Sequence, residues 1–142
     1  MEIILAENHG FCYGVKRAVE MADEAANSEG RSYTLGPIIH NPQVVGRLES
    51  KGVSPIQEVA DIDEGTMIIR SHGVGPAIYA EAEEKGLHIL DATCPHVKKA
   101  QQDAKSVIED GMTLVILGEK NHPEVKSINL WANNKGIIIE DE

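Results

Sequence analysis

Residues 66–90, TMIIRSHGVGPAIYAEAEEKGLHIL, read as one strand-loop-helix-strand unit. Thr66–Arg70 is an apolar run of strand length, and SHGVG after it is turn-forming. Pro76 suits the first position of a helix, and Gly86 suits its end. Leu87–Leu90 opens the next apolar run. Two strands joined through a helix are the repeat of a parallel sheet, because parallel neighbours need a crossover connection.

The same grammar recurs on both sides. Residues 2–6 (EIILA) read as a short strand that leads to Cys12 between Gly10 and Gly14. Over 15–27, Val15, Ala18, Val19, Ala22 and Ala26 share one helical face, opposite Arg17, Glu20 and Glu24. Ser32–Leu35 is a strand, and Asn41 with Pro42 forms a helix start that Gly52 ends. Residues 53–65 read as a loop with a partial helical turn. Further on, Pro95 opens a helix to Asp110, Thr113–Leu117 is a strand, NHPEV opens a helix to about Asn133, and GIIIE is a last strand. The expected class is α/β: repeated strand-loop-helix units on a mainly parallel sheet, in three layers α/β/α. The expected division is a first unit over 1–95 and an incomplete second unit over 96–142.

Composition narrows the function. A chain of 142 residues makes one ordinary core. With 13 basic and 23 acidic residues the net charge is −10, which disfavours nucleic acid and anionic membrane surfaces. The apolar start is too short for a signal peptide or a span, so no membrane role is expected. Two cysteines far apart give no disulfide framework and point to thiols kept reduced in a cytoplasmic setting.

Chemistry gathers in the loops that follow strands. Cys12 in HGFCYG and Cys94 in LDATCPHV both precede a helix start, where the dipole favours anionic sulfur. A buried structural cysteine is the competing explanation for each, and their equivalent placement argues against it. His40 (LGPIIHNP), His72 (IIRSHGVG) and His122 (GEKNHPEV) occupy the same kind of loop. Imidazoles beside free helix N–H groups suit a phosphate, and Asn41 and Ser71 add donors. Glu124, two residues past His122, is a carboxylate held near this edge and a candidate proton donor in a dry pocket. Loops at the carboxyl ends of parallel strands share one edge, where ligands bind.

The strings GFCYGVKRA, IIHNPQVV, SHGV, DATCPHV and GEKNHPEV, in that order across nearly the whole chain, resemble the N-terminal portion of the 4-hydroxy-3-methylbut-2-enyl diphosphate reductase family. That resemblance implies an iron–sulfur oxidoreductase of isoprenoid biosynthesis by the non-mevalonate pathway. It implies a 4Fe-4S cluster held by three cysteines, of which Cys12 and Cys94 match two. It also implies an allylic diphosphate bound by His40, His72, His122 and Asn41, with Glu124 as catalytic proton donor. The implied electron source is a ferredoxin- or flavodoxin-type donor.

The third cysteine of the family pattern has no counterpart in these 142 residues. The expectation is therefore low activity for the chain alone, with a C-terminal complementing chain or self-association as its partner. Two other readings stand beside it: a zinc site built from Cys12, Cys94 and histidines, and a non-catalytic diphosphate-binding or assembly module.

Overall fold

In the computed structural model, which describes residues 2–7 and 9–141, the chain runs α1 (Tyr13–Ala26), β1 (Ser32–Leu35), α2 (Pro42–Ser50), β2 (Val53–Ile56), β3 (Thr66–Ile69), α3 (Pro76–Glu84), β4 (His88–Asp91), α4 (Pro95–Glu109), β5 (Val115–Leu117), α5 (Pro123–Trp131) and β6 (Ile137–Ile139). A 3₁₀ turn at Val59–Asp61 lies between β2 and β3. Strands β2-β1-β3-β4 form one parallel sheet, and β5-β6 form a second, two-stranded parallel sheet. The parallel α/β class read from residues 66–90 is the class observed.

Strand β3 is central, and its residues Met67, Ile68 and Ile69 are completely buried. The period-two alternation divides them between two cores. Ile68 packs with Ala18, Val19, Ala22 and Ala25 of α1, Leu48 of α2, and Ile38, Ile39 and Val53. Met67 and Ile69 face the other way, toward Leu35, Val59, Ile62, Val74, Leu87 and Ala82 of α3. Helices therefore cover both faces, which is the α/β/α layering. Burial of each such aliphatic side chain stabilises the fold by roughly 1.5–3 kcal/mol.

The strand order fixes where a ligand fits. From β1 the chain crosses through α2 to β2 on one side, then returns to β3 on the other side of β1. The loops after β1 and β3 consequently diverge at their carboxyl ends and leave a crevice between them. His40 lies in the first of these loops and His72 in the second.

Two sequence readings need correction. Residues 2–6 do not form a strand: the segment is irregular, and Ile3, Ile4 and Leu5 are 75%, 83% and 75% exposed. An apolar run becomes a strand only where a neighbour supplies its hydrogen bonds, and no sheet edge among the described residues does so. Cys12 is accordingly not preceded by a buried strand. In the stretch 53–65, the partial helical turn is present, but Val53–Ile56 is strand β2 rather than loop. Pro55 disguises it, and a proline is tolerated there because β2 is the sheet's edge strand.

Candidate functional site

Four of the helices, α2, α3, α4 and α5, begin with proline at their first turn, directly after a loop that carries a candidate residue. Proline presets the helical φ and lacks the N–H that would be orphaned there, so each loop ends sharply. Asn41 caps α2: its side-chain oxygen accepts hydrogen bonds from the Gln43 and Val44 N–H groups, both at 3.1 Å. Cys12 and Cys94 occupy the cap positions of α1 and α4 without capping them by hydrogen bonds. His122 caps α5, its Nδ1 accepting from the Glu124 N–H at 3.2 Å.

The three histidines meet. Ring centroids lie 4.5 Å apart for His40 and His72, 6.2 Å for His40 and His122, and 5.8 Å for His72 and His122. Residues separated by up to 82 positions thus form one ring cluster. Burial, with the neighbouring His40, Arg70 and His122 adding smaller effects, pushes the His72 imidazole down to about 4. His72 is therefore neutral at pH 7. Its Nδ1 is buried without a hydrogen-bond partner among the described residues.

Hydrogen bonds hold the trio in place. The His72 carbonyl accepts from Ser127 Oγ of α5 at 2.8 Å, and the buried Gln101 of α4 donates to the same hydroxyl at 3.3 Å. Trp131 Nε1 donates to the Val74 carbonyl at 2.9 Å, a second clasp between α5 and the His72 loop. These clasps carry His122 to His72. Gln101, Ser127 and Trp131 escaped the sequence reading, because a buried amide or hydroxyl on a helix leaves no spacing signal.

Candidate ligand atoms of His40, His72 and His122 all lie within 4.8 Å of one another, and among the described residues this is the group of three that forms. Cysteines do not join it, so the mixed Cys/His zinc site finds no support there. The hydrogen bond to His122 Nδ1 also leaves the ring proton on Nε2. Such a nitrogen donates to an anion and cannot ligate a metal without a change of tautomer. A 240 Å³ pocket beside the trio is lined by His40, Asn41, Ser71 and His72, with Phe11, Val15 and Ile39 as an apolar wall. This mixture of imidazole and amide donors with an apolar wall suits an anionic head on a short hydrocarbon body.

The cysteine loops connect to this pocket through two of its lining residues, Phe11 next to Cys12 and Ser71, whose carbonyl bonds the Cys94 loop. Cys12 is exposed and Cys94 half-buried, both as free thiols. A β-carbon added at Gly14 would stand 2.5 Å from Cys94 Sγ, so that sulfur rests on the bare backbone of the first turn of α1. Cys94 N–H donates to the Ser71 carbonyl at 2.9 Å, fastening the sulfur-bearing loop to the histidine-bearing loop. Arg17, placed by periodicity on the polar face of α1, instead donates to the Thr93 and Asp91 carbonyls at 3.2 and 3.4 Å. Those carbonyls lie in the DATC loop, which draws the arginine inward. Phe11, next to Cys12, lines the His40 pocket. Glu124 sits half-buried in the first turn of α5 and makes no ion pair among the described residues.

Comparison with known proteins identifies the chain's relatives. The chain is 54% identical over 139 residues to 4-hydroxy-3-methylbut-2-enyl diphosphate reductase of Geobacter sulfurreducens, covering 98% of this chain and 49% of that protein. It is 51% identical over 142 residues to the Geobacter metallireducens protein of the same name, covering 100% of this chain and 50% of that one. A solved structure of the reductase described as the terminal enzyme of the non-mevalonate pathway superposes with a TM-score of 0.84 at 48% identity, over 98% of this chain and 51% of that one. The Plasmodium falciparum reductase structure gives a TM-score of 0.90 at 32% identity, over 95% of this chain and 43% of that one. The chain spans about half the length of the curated relatives it matches. With the family model described as LytB protein matching residues 3–142, the chain belongs to the LytB family.

Proposed function

We propose that the chain supplies the substrate-gripping and part of the cluster-holding half of a 4-hydroxy-3-methylbut-2-enyl diphosphate reductase. The observation that supports this most is the meeting of His40, His72 and His122 at the sheet's switch point, with the Cys94 loop hydrogen-bonded to the loop that carries His72. The reaction is a two-electron reductive dehydroxylation: the allylic C–O bond breaks, a C–H bond forms, and two protons and two electrons leave water plus isopentenyl or dimethylallyl diphosphate.

The donor set fits an iron–sulfur cluster. Cys12 and Cys94 are soft ligands at positive helix ends, and Gly14 lets the backbone approach the sulfur without a side chain in the way. These two thiolates would hold a 4Fe-4S cluster together with a third cysteine from outside residues 1–142. When bound, such a cluster would supply the electrons and a Lewis-acidic iron for the hydroxyl. His40, His72, His122 and the Asn41 amide donate hydrogen bonds to the diphosphate. Since His72 is neutral, it acts through an N–H donor rather than through charge. Phe11, Val15 and Ile39 exclude water from the hydrocarbon. Glu124 delivers a proton from the first turn of α5.

Residues 1–95 and 96–142 form two α/β units in this reading, the second completed by further chain. A ferredoxin- or flavodoxin-type protein donates the electrons in a reducing, cytoplasmic compartment, and the isolated 142 residues lack normal turnover. The test is anaerobic co-expression with the C-terminal half of the Geobacter sulfurreducens relative, assayed for conversion of the allylic diphosphate with reduced methyl viologen. Turnover by the pair and none by the chain alone is expected. Diphosphate binding without turnover in the pair would favour a non-catalytic binding module instead.

A further inference from the structure

We infer that a second anion-binding pocket, separate from the histidine pocket, lies where α5 docks on the first sheet and takes a small organic anion such as a carboxylate or monophosphate on a short apolar body. The cavity measures about 340 Å³ and shares no lining residue with the pocket of His40 and His72. That volume lies near the lower end of small-molecule sites, which run from roughly 300 to 1,000 Å³.

Its lining is the argument. Arg70 and Lys126 contribute two cations, Gln57 and Asn121 two carboxamides, and no carboxylate is present. The two cations make no ion pair among the described residues, whereas Asp23, Asp91 and Asp103 each neutralise a lysine or arginine elsewhere. Arg70 Nε is buried without a hydrogen-bond partner, a costly state for a charged donor.

The guanidinium is also held in position. A β-carbon at Gly36 would stand 2.7 Å from Arg70 Nη1, so the guanidinium lies directly against glycine backbone whose φ is +70°. Burial lowers the proton affinity of Arg70, which an acceptor in the cavity would restore. Ile78 and Leu130 form the apolar side. A planar donor fork facing an apolar wall matches an anionic head group with a hydrocarbon tail.

The test titrates the 142-residue chain with inorganic phosphate, n-butyl phosphate and n-butanol, followed by amide NMR shifts. Gly36, Gly73 and Gly75 report on this cavity, and the ring signals of His40 and His72 report on the other pocket. Saturable shifts at the three glycines with both phosphates are expected, with butyl phosphate binding several-fold tighter and butanol having no effect. Arg70→Gln should weaken that binding at least tenfold. Lys126→Gln, an exposed site that leaves folding intact, should weaken it several-fold. Both variants should leave the histidine signals responsive to phosphate. Shifts confined to the histidines, or wild-type affinity in Lys126→Gln and Arg70→Gln, would overturn the inference. So would the absence of saturation by about 10 mM, an affinity too weak for a built site.

Discussion

Replacing Gly14 by alanine tests the contact that joins the two cysteine loops. The added β-carbon would stand 2.5 Å from Cys94 Sγ and 3.0 Å from Cys94 Cβ. Ordinary contact needs about 3.5–4.0 Å, so the sulfur or the helix must yield by at least about 1 Å. Overpacking of this kind costs about 1–3 kcal/mol. Better helix propensity returns up to about 1 kcal/mol, less in a first turn. The net expectation is destabilisation by about 1–2 kcal/mol. Gly46, inside α2 with open space around its Cα, is the matched control, and Gly46→Ala should stabilise by about 0.5–1 kcal/mol. Urea unfolding monitored by circular dichroism reads both values. In the co-expressed pair, Gly14→Ala should also reduce bound iron, because ligand constellations tolerate displacements of only about 0.5 Å. Equal stabilisation by the two substitutions would refute the reasoning, since it would mean that Cys94 does not rest on α1.

Acidification should destabilise the fold between about pH 6.5 and pH 4. His72 titrates near 4 when folded and near its ordinary value when unfolded, so the unfolded chain binds more protons in that window. Stability then rises with pH up to about 6.5, and His72→Gln should flatten that part of a urea-midpoint profile. Asn41→Ala removes the acceptor of two N–H bonds at the start of α2 and should cost about 1 kcal/mol of stability by urea unfolding. It should also weaken diphosphate binding by calorimetry. Glu124→Gln in the co-expressed pair should lower kcat by about 10²-fold or more, as loss of a general acid does, while KM changes little. A proportional change in KM would instead mark Glu124 as a binding residue.

Much of this was legible because the code is local. The β3-α3-β4 segment announces itself through a buried strand, an opening proline and a closing glycine. The placement of His40, His72 and His122 just before helices was legible for the same reason. Residues 2–6 were misread because an apolar run carries no record of whether a neighbouring strand exists. Pro55 hid β2, since a breaker and an edge strand look alike in one dimension. The clasp of Gln101 and Ser127 on His72, and the inward turn of Arg17, depend on contacts between units distant in sequence. No periodicity carries that information.

Iron and acid-labile sulfide, measured per complex after anaerobic purification of the co-expressed halves, bear most directly on the claim that Cys12 and Cys94 are cluster ligands. The account predicts close to four of each in the parent complex, consistent with a 4Fe-4S centre. Cys12→Ser or Cys94→Ser should bring near-complete loss while the two halves still co-purify. Full iron and sulfide retained in the Cys12→Ser, Cys94→Ser double variant would contradict it.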